Sequence, residues 1–165
     1  LRSGSETARC LVAALGNMKT SPAGIALIKH FEGFRSHPYQ CQANVWTIGY
    51  GHTRGVTPQT PPVSREEAEL LLASDLTKYE RSVLNLIRVK LTQGQFDALV
   101  SFTFNLGGGA LQRSTLRART NRRDFFGAAA EFLKWVRAGG VVSKGLVKRR
   151  KAEAQLFVDS TPEKP

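Results

Sequence analysis

EGFRSHPYQCQANVWTIGYGHT, residues 32–53, decides how the rest of the chain is read. It opens on a carboxylate, Glu32, followed at once by Gly33. Upstream, Ser21 and Pro22 form a helix start, a capping hydroxyl followed by proline at the first helical position. Ile25, Leu27, Ile28 and Phe31 then make an apolar stripe at helical spacing. Glycine commonly ends helices, so this helix should stop near Gly33, with Glu32 in its last turn. The negative end of the helix dipole disfavours a charged carboxylate there, which suits a general acid. Taken alone, a glutamate in such a place is more often a solvated surface group.

Glu32 does not stand alone. Cys41 follows nine residues on, and Thr47 six residues after that. Residues 38–53 read as a small β structure, with Trp46 and Ile48 alternating with Thr47 and Gly49. Gly49 and Gly51 permit a turn conformation that other residues resist, and His52 closes it. The expectation is that Glu32, Cys41 and Thr47 line one cleft, which the rest of the chain holds and feeds.

Working outward, residues 57–62 hold three prolines and form a loop. Ser64 followed three residues later by Glu67 is a capping box that starts the longest helix, running to about Arg88. A helix of roughly 24 residues spans about 36 Å, enough to connect two lobes. Thr92 caps the next helix, which is apolar on most faces from Phe96 to Leu106 and therefore central and buried. Gly107, Gly108 and Gly109 end it. Short helices should follow from Ser114, through Phe125 to Val136, and from Ser143 to Phe157, with a break at Gly139 and Gly140. The expected division is an N-terminal segment at 1–20, one domain at 21–160 and a disordered tail at 161–165. Residues 1–20 read as mobile, either the remnant of a trimmed anchor or a scar left by expression.

Composition narrows the class. At 165 residues the chain suits one domain with one core. No run approaches the ~18 consecutive apolar residues of a membrane span. Net charge is +11, and residues 113–151 concentrate it, with twelve Lys and Arg against Asp124 and Glu131. Such a field attracts polyanions, whether nucleic acid, acidic lipid or an acidic wall polymer. No aromatic–basic interleaving of the kind used by single-strand binders is present, so nucleic acid is not the expected partner. Two cysteines, Cys10 and Cys41, make no disulfide scaffold; one bridge and two free thiols are both compatible with the count. His30, His37 and His52 lack companions at zinc-ligand spacing, so neither a metal site nor a cofactor is expected.

Four stretches together, EGF at 32–34, VWTIGYGHT at 45–53, FDALVSFTFNLG at 96–107 and GLVKRRKAEAQLF at 145–157, resemble the phage-type lysozymes, the endolysins of glycoside hydrolase family 24. The resemblance covers nearly everything after the N-terminal segment. It implies an α+β, mostly helical fold with two lobes: a small β-hairpin lobe, a long connecting helix and a helical C-terminal lobe. It implies cleavage of the β-1,4 bond between N-acetylmuramic acid and N-acetylglucosamine in peptidoglycan, for host lysis. The family's catalytic set is Glu, then Asp nine residues on, then Thr six further. Glu32 and Thr47 match it, and Cys41 departs from it; the chain resembles the membrane-released subset that carries Cys there.

Bond cleavage of this kind needs a protonated acid at the leaving oxygen and a second group on the opposite face. Glu32 would supply the first and a Cys41 thiolate the second, while Thr47 positions the water. By resemblance, Arg149 pairs with Glu32 and favours its charged form, against the helix-end effect, with neither decided by sequence. His52 pairs with Asp75 as a structural ion pair, and Phe104, Asn105 and Thr115 line the cleft. Trp46 and Trp135 are expected in the core. The related Cys-bearing endolysins use disulfide exchange as a safety catch, which suggests a Cys10–Cys41 bond that would block the thiolate. The implied setting is the host periplasm, with the enzyme a monomer acting on glycan strands and touching the inner membrane through a segment upstream. Two alternatives stay open: a lytic transglycosylase that leaves 1,6-anhydro ends, and a noncatalytic basic module that binds the wall.

Overall fold

A computed structural model describes residues 17–162. The described chain runs α1 (Pro22–Glu32), β1 (Arg35–Gln40), β2 (Trp46–Gly49), α2 (Arg65–Leu86), α3 (Gln93–Leu106), α4 (Gly108–Arg113), α5 (Thr115–Asn121), α6 (Phe125–Phe132), β3 (Arg137–Ala138), β4 (Val141–Val142) and α7 (Lys144–Asp159). It is mostly helical with a small antiparallel hairpin near its start, as the resemblance implied.

Helix starts follow the side-chain caps. Ser21 accepts from the Gly24 amide, and Ser64 and Thr92 each form a reciprocal box, with Glu67 and Gln95. Each box satisfies two backbone donors that a helix start leaves open. Gly33, at φ 69°, ends α1 directly after Glu32. The carboxylate is thereby left at the rim where α1 hands over to the hairpin.

In the hairpin, Tyr39 pairs with Thr47 and Gln40 with Trp46, and the register slips between Arg35 and Tyr39. Pro38 sits in that irregular stretch. Among the described residues the sheet has only two strands, so proline's missing donor falls on an open edge. Strand β1 therefore starts at Arg35, three residues earlier than the proline suggested. The turn closes with the Cys41 amide donating to Val45 O (3.0 Å) and the Asn44 amide donating to Cys41 O (2.9 Å). Asn44 takes φ 56°, the left-handed position of a three-residue hairpin loop.

Helix α3 is the axle. Every residue from Gly94 to Thr103 is buried, and α1, α2, α4 and α7 pack around it. Phe102, Phe132, Trp135 and Phe157 interlock edge to face at centroid distances of 5.4–5.6 Å. Helix α2, roughly 33 Å long at ~1.5 Å per residue, touches both lobes. Its Ala68 meets Gly49 of the hairpin, and Leu76 and Val83 enter the helical core. Trp46 is half-buried at the start of β2.

Three expectations change. Helix α6 stops at Phe132, not Val136, because the chain turns there through Lys134 N–Glu131 O and Trp135 N–Phe132 O bonds. The break at Gly139 and Gly140 is the two-residue loop of a second hairpin, both glycines having positive φ as a type I′ turn requires. Gly107, at φ 87°, ends α3, but the remaining glycines open a further helix, α4. At the ends of the described residues, Met18 packs against the core and Thr20 is buried on Glu80. Thr161 is held by Phe157 O and Gln95.

Gly94 shows packing overruling helix propensity. A Cβ there would lie 2.6 Å from Ser160 Cβ and 2.9 Å from the Leu156 carbonyl oxygen. Alanine in an open helix position gains ~1 kcal/mol over glycine, but overpacking typically costs ~1–3 kcal/mol. Gly94→Ala should therefore lower the melting temperature; a rise would show that the α3–α7 contact is looser than described.

Candidate active site

The Glu32 carboxylate sits where two hollows meet. One, of about 360 Å³, is lined by Gly51, Thr53, Arg54, Asp75, Lys78, Tyr79, Phe104 and Asn105 among others. The other, of about 560 Å³, includes Phe31, Gln42, Asn105, Arg137, Leu146 and Arg149. Glu32 and Asn105 belong to both, so the two form one groove crossing the carboxylate.

A buried charge cluster supports the carboxylate from behind. Arg149 donates from Nη1 to Glu32 Oε1 (2.6 Å), from Nε to Glu153 Oε1 (3.2 Å) and from Nη2 to Ser101 O (3.2 Å). Ser101 Oγ donates to Glu153 Oε1 (2.7 Å). Arg150 Nε lies 3.0 Å from Glu153 Oε2. Two arginines thus face two glutamates, and the cluster is neutral when all four are charged. Burial pulls Arg150 down to about 10, against the pull of Glu153, so it stays protonated at neutral pH. With Oε1 held by Arg149, Oε2 is left toward Gly51, where a Cβ would come within 3.3 Å. The glycine therefore keeps that face of the carboxylate uncrowded.

Cys41 and Thr47 come from the hairpin, and neither is among the residues lining the two hollows; from their turn only Gln42 is. Cys41 opens the turn, and its thiol is held below the ordinary cysteine range, first by the Val45 amide, then by the Ala43 amide. The Thr47 hydroxyl and the residue's own amide add to this, while partial burial opposes it. A tight turn gathers amides around the side chain of its first residue, and these favour an anion there. Thr47 is 3% exposed and donates its hydroxyl hydrogen to Val45 O (2.9 Å). Its lone pairs are left to accept. Tyr39, paired with Thr47, has its phenol pushed up by burial, with Arg35 opposing and the Glu32 and Cys41 charges adding. It therefore lies within the field of both groups. Cys10 lies outside the described residues.

The other expected residues separate. His52 Nδ1 is 2.7 Å from Asp75 Oδ2, and its Nε2 is 3.0 Å from Arg54 O. This joins the hairpin lobe to α2, with Asp75 also on the groove wall. Phe104 and Asn105 line the groove. Thr115 is exposed at the start of α5 and is not among the residues lining either hollow. Arg54, Lys78, Tyr79, Arg137, Arg150 and Glu153 were not singled out from sequence. For the last two a signal existed: Leu146, Arg149, Arg150, Glu153 and Phe157 share one helix face by spacing. Among the described residues no helix is long and apolar enough to cross a membrane, and no three His, Cys, Asp or Glu side chains are grouped to hold a metal.

The environment of Cys41 has a direct readout. Only the thiolate is alkylated, so its rate of reaction with iodoacetamide follows ionisation. With Cys10 replaced by serine, that rate should rise with pH to a midpoint below that of a free cysteine. Thr47→Val should move the midpoint upward. A midpoint at or above the free-thiol value would show that the turn does not stabilise the anion.

The chain matches the family model described as phage lysozyme over residues 29–153. It is 48% identical over 143 residues to the endolysin of Bacillus phage B103, covering 86% of this chain and 54% of that protein. The chain thus spans just over half the length of that relative. It is 38% identical to a SAR-endolysin of Escherichia phage Mu, over 78% of this chain and 74% of that one. Among solved structures it superposes on the muramidase domain of SpmX from Asticcacaulis excentricus with a TM-score of 0.82 and 40% identity, covering 88% of this chain and all of that one. Taken with the groove and the carboxylate in it, these matches place the chain in the phage lysozyme family.

Proposed function

We propose that this chain is an endolysin domain that hydrolyses the β-1,4 bond between N-acetylmuramic acid and N-acetylglucosamine in peptidoglycan. The observation that carries this is the Glu32 carboxylate where two hollows meet as one groove, with one oxygen gripped by Arg149 and the other left toward Gly51 on the groove wall. A polymer can lie through such a groove without presenting an end, which suits cleavage within a strand.

The protonated Glu32 gives its proton to the glycosidic oxygen as the bond from the anomeric carbon to that oxygen breaks. Water adds its oxygen to the anomeric carbon and loses a proton to the Cys41 thiolate. The products are a hydroxyl on the departing N-acetylglucosamine and a reducing N-acetylmuramic acid. Proton return from Cys41 to Glu32 through solvent restores the starting state. Thr47, whose one hydroxyl hydrogen is shared between Val45 O and the Cys41 sulfur, accepts from the attacking water through its lone pairs and orients it. Phe104 and Asn105 hold the sugars. The endolysin relatives support action on the host cell wall; that it acts in the periplasm and as a monomer belongs to the proposal. The SAR-endolysin relative supports a stage at the inner membrane through a segment upstream.

Glu32→Gln keeps the shape and removes the acid, so lysis should fall by at least ~10²-fold, the lower range for general acid catalysis. Cys41→Asp should stay active, with the acid limb of its pH–rate profile moved down into the carboxylate range. Cys41→Ala should lose most activity. Turbidity loss of permeabilised Gram-negative cells measures all three, and full lysis by a folded Glu32→Gln protein would end the assignment.

A further inference from the structure

Among the described residues Arg150 is the largest side chain with no exposure, and it lies in a helix run, KRRK, that looks from sequence like surface charge. Its guanidinium sits over the Phe102 ring at 5.2 Å and beside Glu153. Nη1 finds no acceptor among the described residues. A buried ion in that state is weak support for stability, since packed apolar side chains do as well or better. Its one well-formed hydrogen bond leads toward the groove, from Nη2 to Asn105 Oδ1 at 2.7 Å.

That bond fixes more than a position. Arginine can only donate, so the atom of the Asn105 carboxamide facing it has to be the oxygen. The Nδ2 group then faces away from Arg150. Asn105 is exposed, at the last turn of α3, and lines both hollows that meet at Glu32. The groove is thereby furnished with two N–H donors beside the proposed acid.

We infer that Arg150 is a positioning residue that locks the Asn105 carboxamide with its N–H bonds toward the groove, where they donate to the acetamido carbonyl oxygen of an N-acetylated sugar. The acetamido oxygen fits because it is an acceptor only, whereas sugar hydroxyls both donate and accept. Asn105 makes the contact; Arg150 acts through it and settles which way the amide faces. An amide left free to flip would present its oxygen half the time and repel the same carbonyl. The inference rests on the hydrolase proposed above and deepens it to the recognition of the N-acetyl group.

The test compares rates on peptidoglycan glycan strands before and after chemical de-N-acetylation. The parent enzyme should favour the acetylated strand by about ten- to a hundredfold in kcat/KM, the scale of one well-made hydrogen bond and the group it would leave unpaired. Asn105→Asp keeps an acceptor for Arg150 and removes both donors; Asn105→Ala removes the donors without adding charge. Both should lose most of that preference while still melting cooperatively. Arg150→Met should raise KM on the acetylated strand with kcat nearly kept, and Arg150→Lys, which still donates, should recover part of it. Adding Arg150→Met to Asn105→Ala should cost no further preference, since both act through one contact.

Unchanged preference in both Asn105 variants overturns the inference. So does an Arg150→Met enzyme that loses rate equally on both strands, the signature of a merely structural residue. A parent enzyme inert on both strands would instead overturn the hydrolase reading itself, which keeps the two failures apart.

Discussion

The structure depends on one arginine that belongs to three elements at once. Arg149 leaves α7, crosses the end of α3 at Ser101 and grips Glu32 at the end of α1. Its side chain is 5% exposed, against 21% for Glu32 and none for Glu153. Removing one partner of a fully buried pair costs about 3–5 kcal/mol, because the other charge is left unpaired. The Glu32 end is partly solvated and contributes less than that. The clamp therefore belongs chiefly to the core on its Glu153 side and to the groove on its Glu32 side. A residue that stabilises and a residue that orients the proposed acid are here the same residue.

The second support is the hairpin turn. A three-residue loop with Asn44 in the left-handed region gathers amides around position 41, whatever side chain is there. A carboxylate would be stabilised in that cup, and the thiol is held below its ordinary range in it. The chemistry at 41 can therefore change from oxygen to sulfur without redesigning the fold around it. The His52–Asp75 contact holds this hairpin to α2, so Cys41 keeps its place relative to the helical lobe.

Much of this was legible in the sequence because it is local. Caps at Ser21, Ser64 and Thr92 and the stop at Gly33 are written in neighbouring residues, and so was the burial of α3 from its apolar run. The Glu32, Cys41 and Thr47 spacing had meaning only through the family pattern. What escaped notice were features decided at a distance. Helix α6 ends early because Trp135 is turned in against Phe102, which no local rule announces. The basic run of residues 113–151 looked like one positive surface. In fact Arg149 and Arg150 are interior, while Arg119 and Lys134 are tied to Glu131. Thr115 aligned loosely with cleft positions, yet it stands outside both hollows, since its place depends on how α4 leaves the end of α3.

Central to the proposed hydrolysis is that Glu32 and Cys41 together cleave the bond with water as acceptor. Mass analysis of the muropeptides released from purified peptidoglycan tests it most directly. The account predicts products that have gained one water, with N-acetylmuramic acid at a reducing end that borohydride converts to the alcohol. Products one water lighter, ending in 1,6-anhydro-N-acetylmuramic acid and inert to borohydride, would contradict it. They would mean that the sugar's own hydroxyl attacks and that neither Cys41 nor Thr47 delivers water.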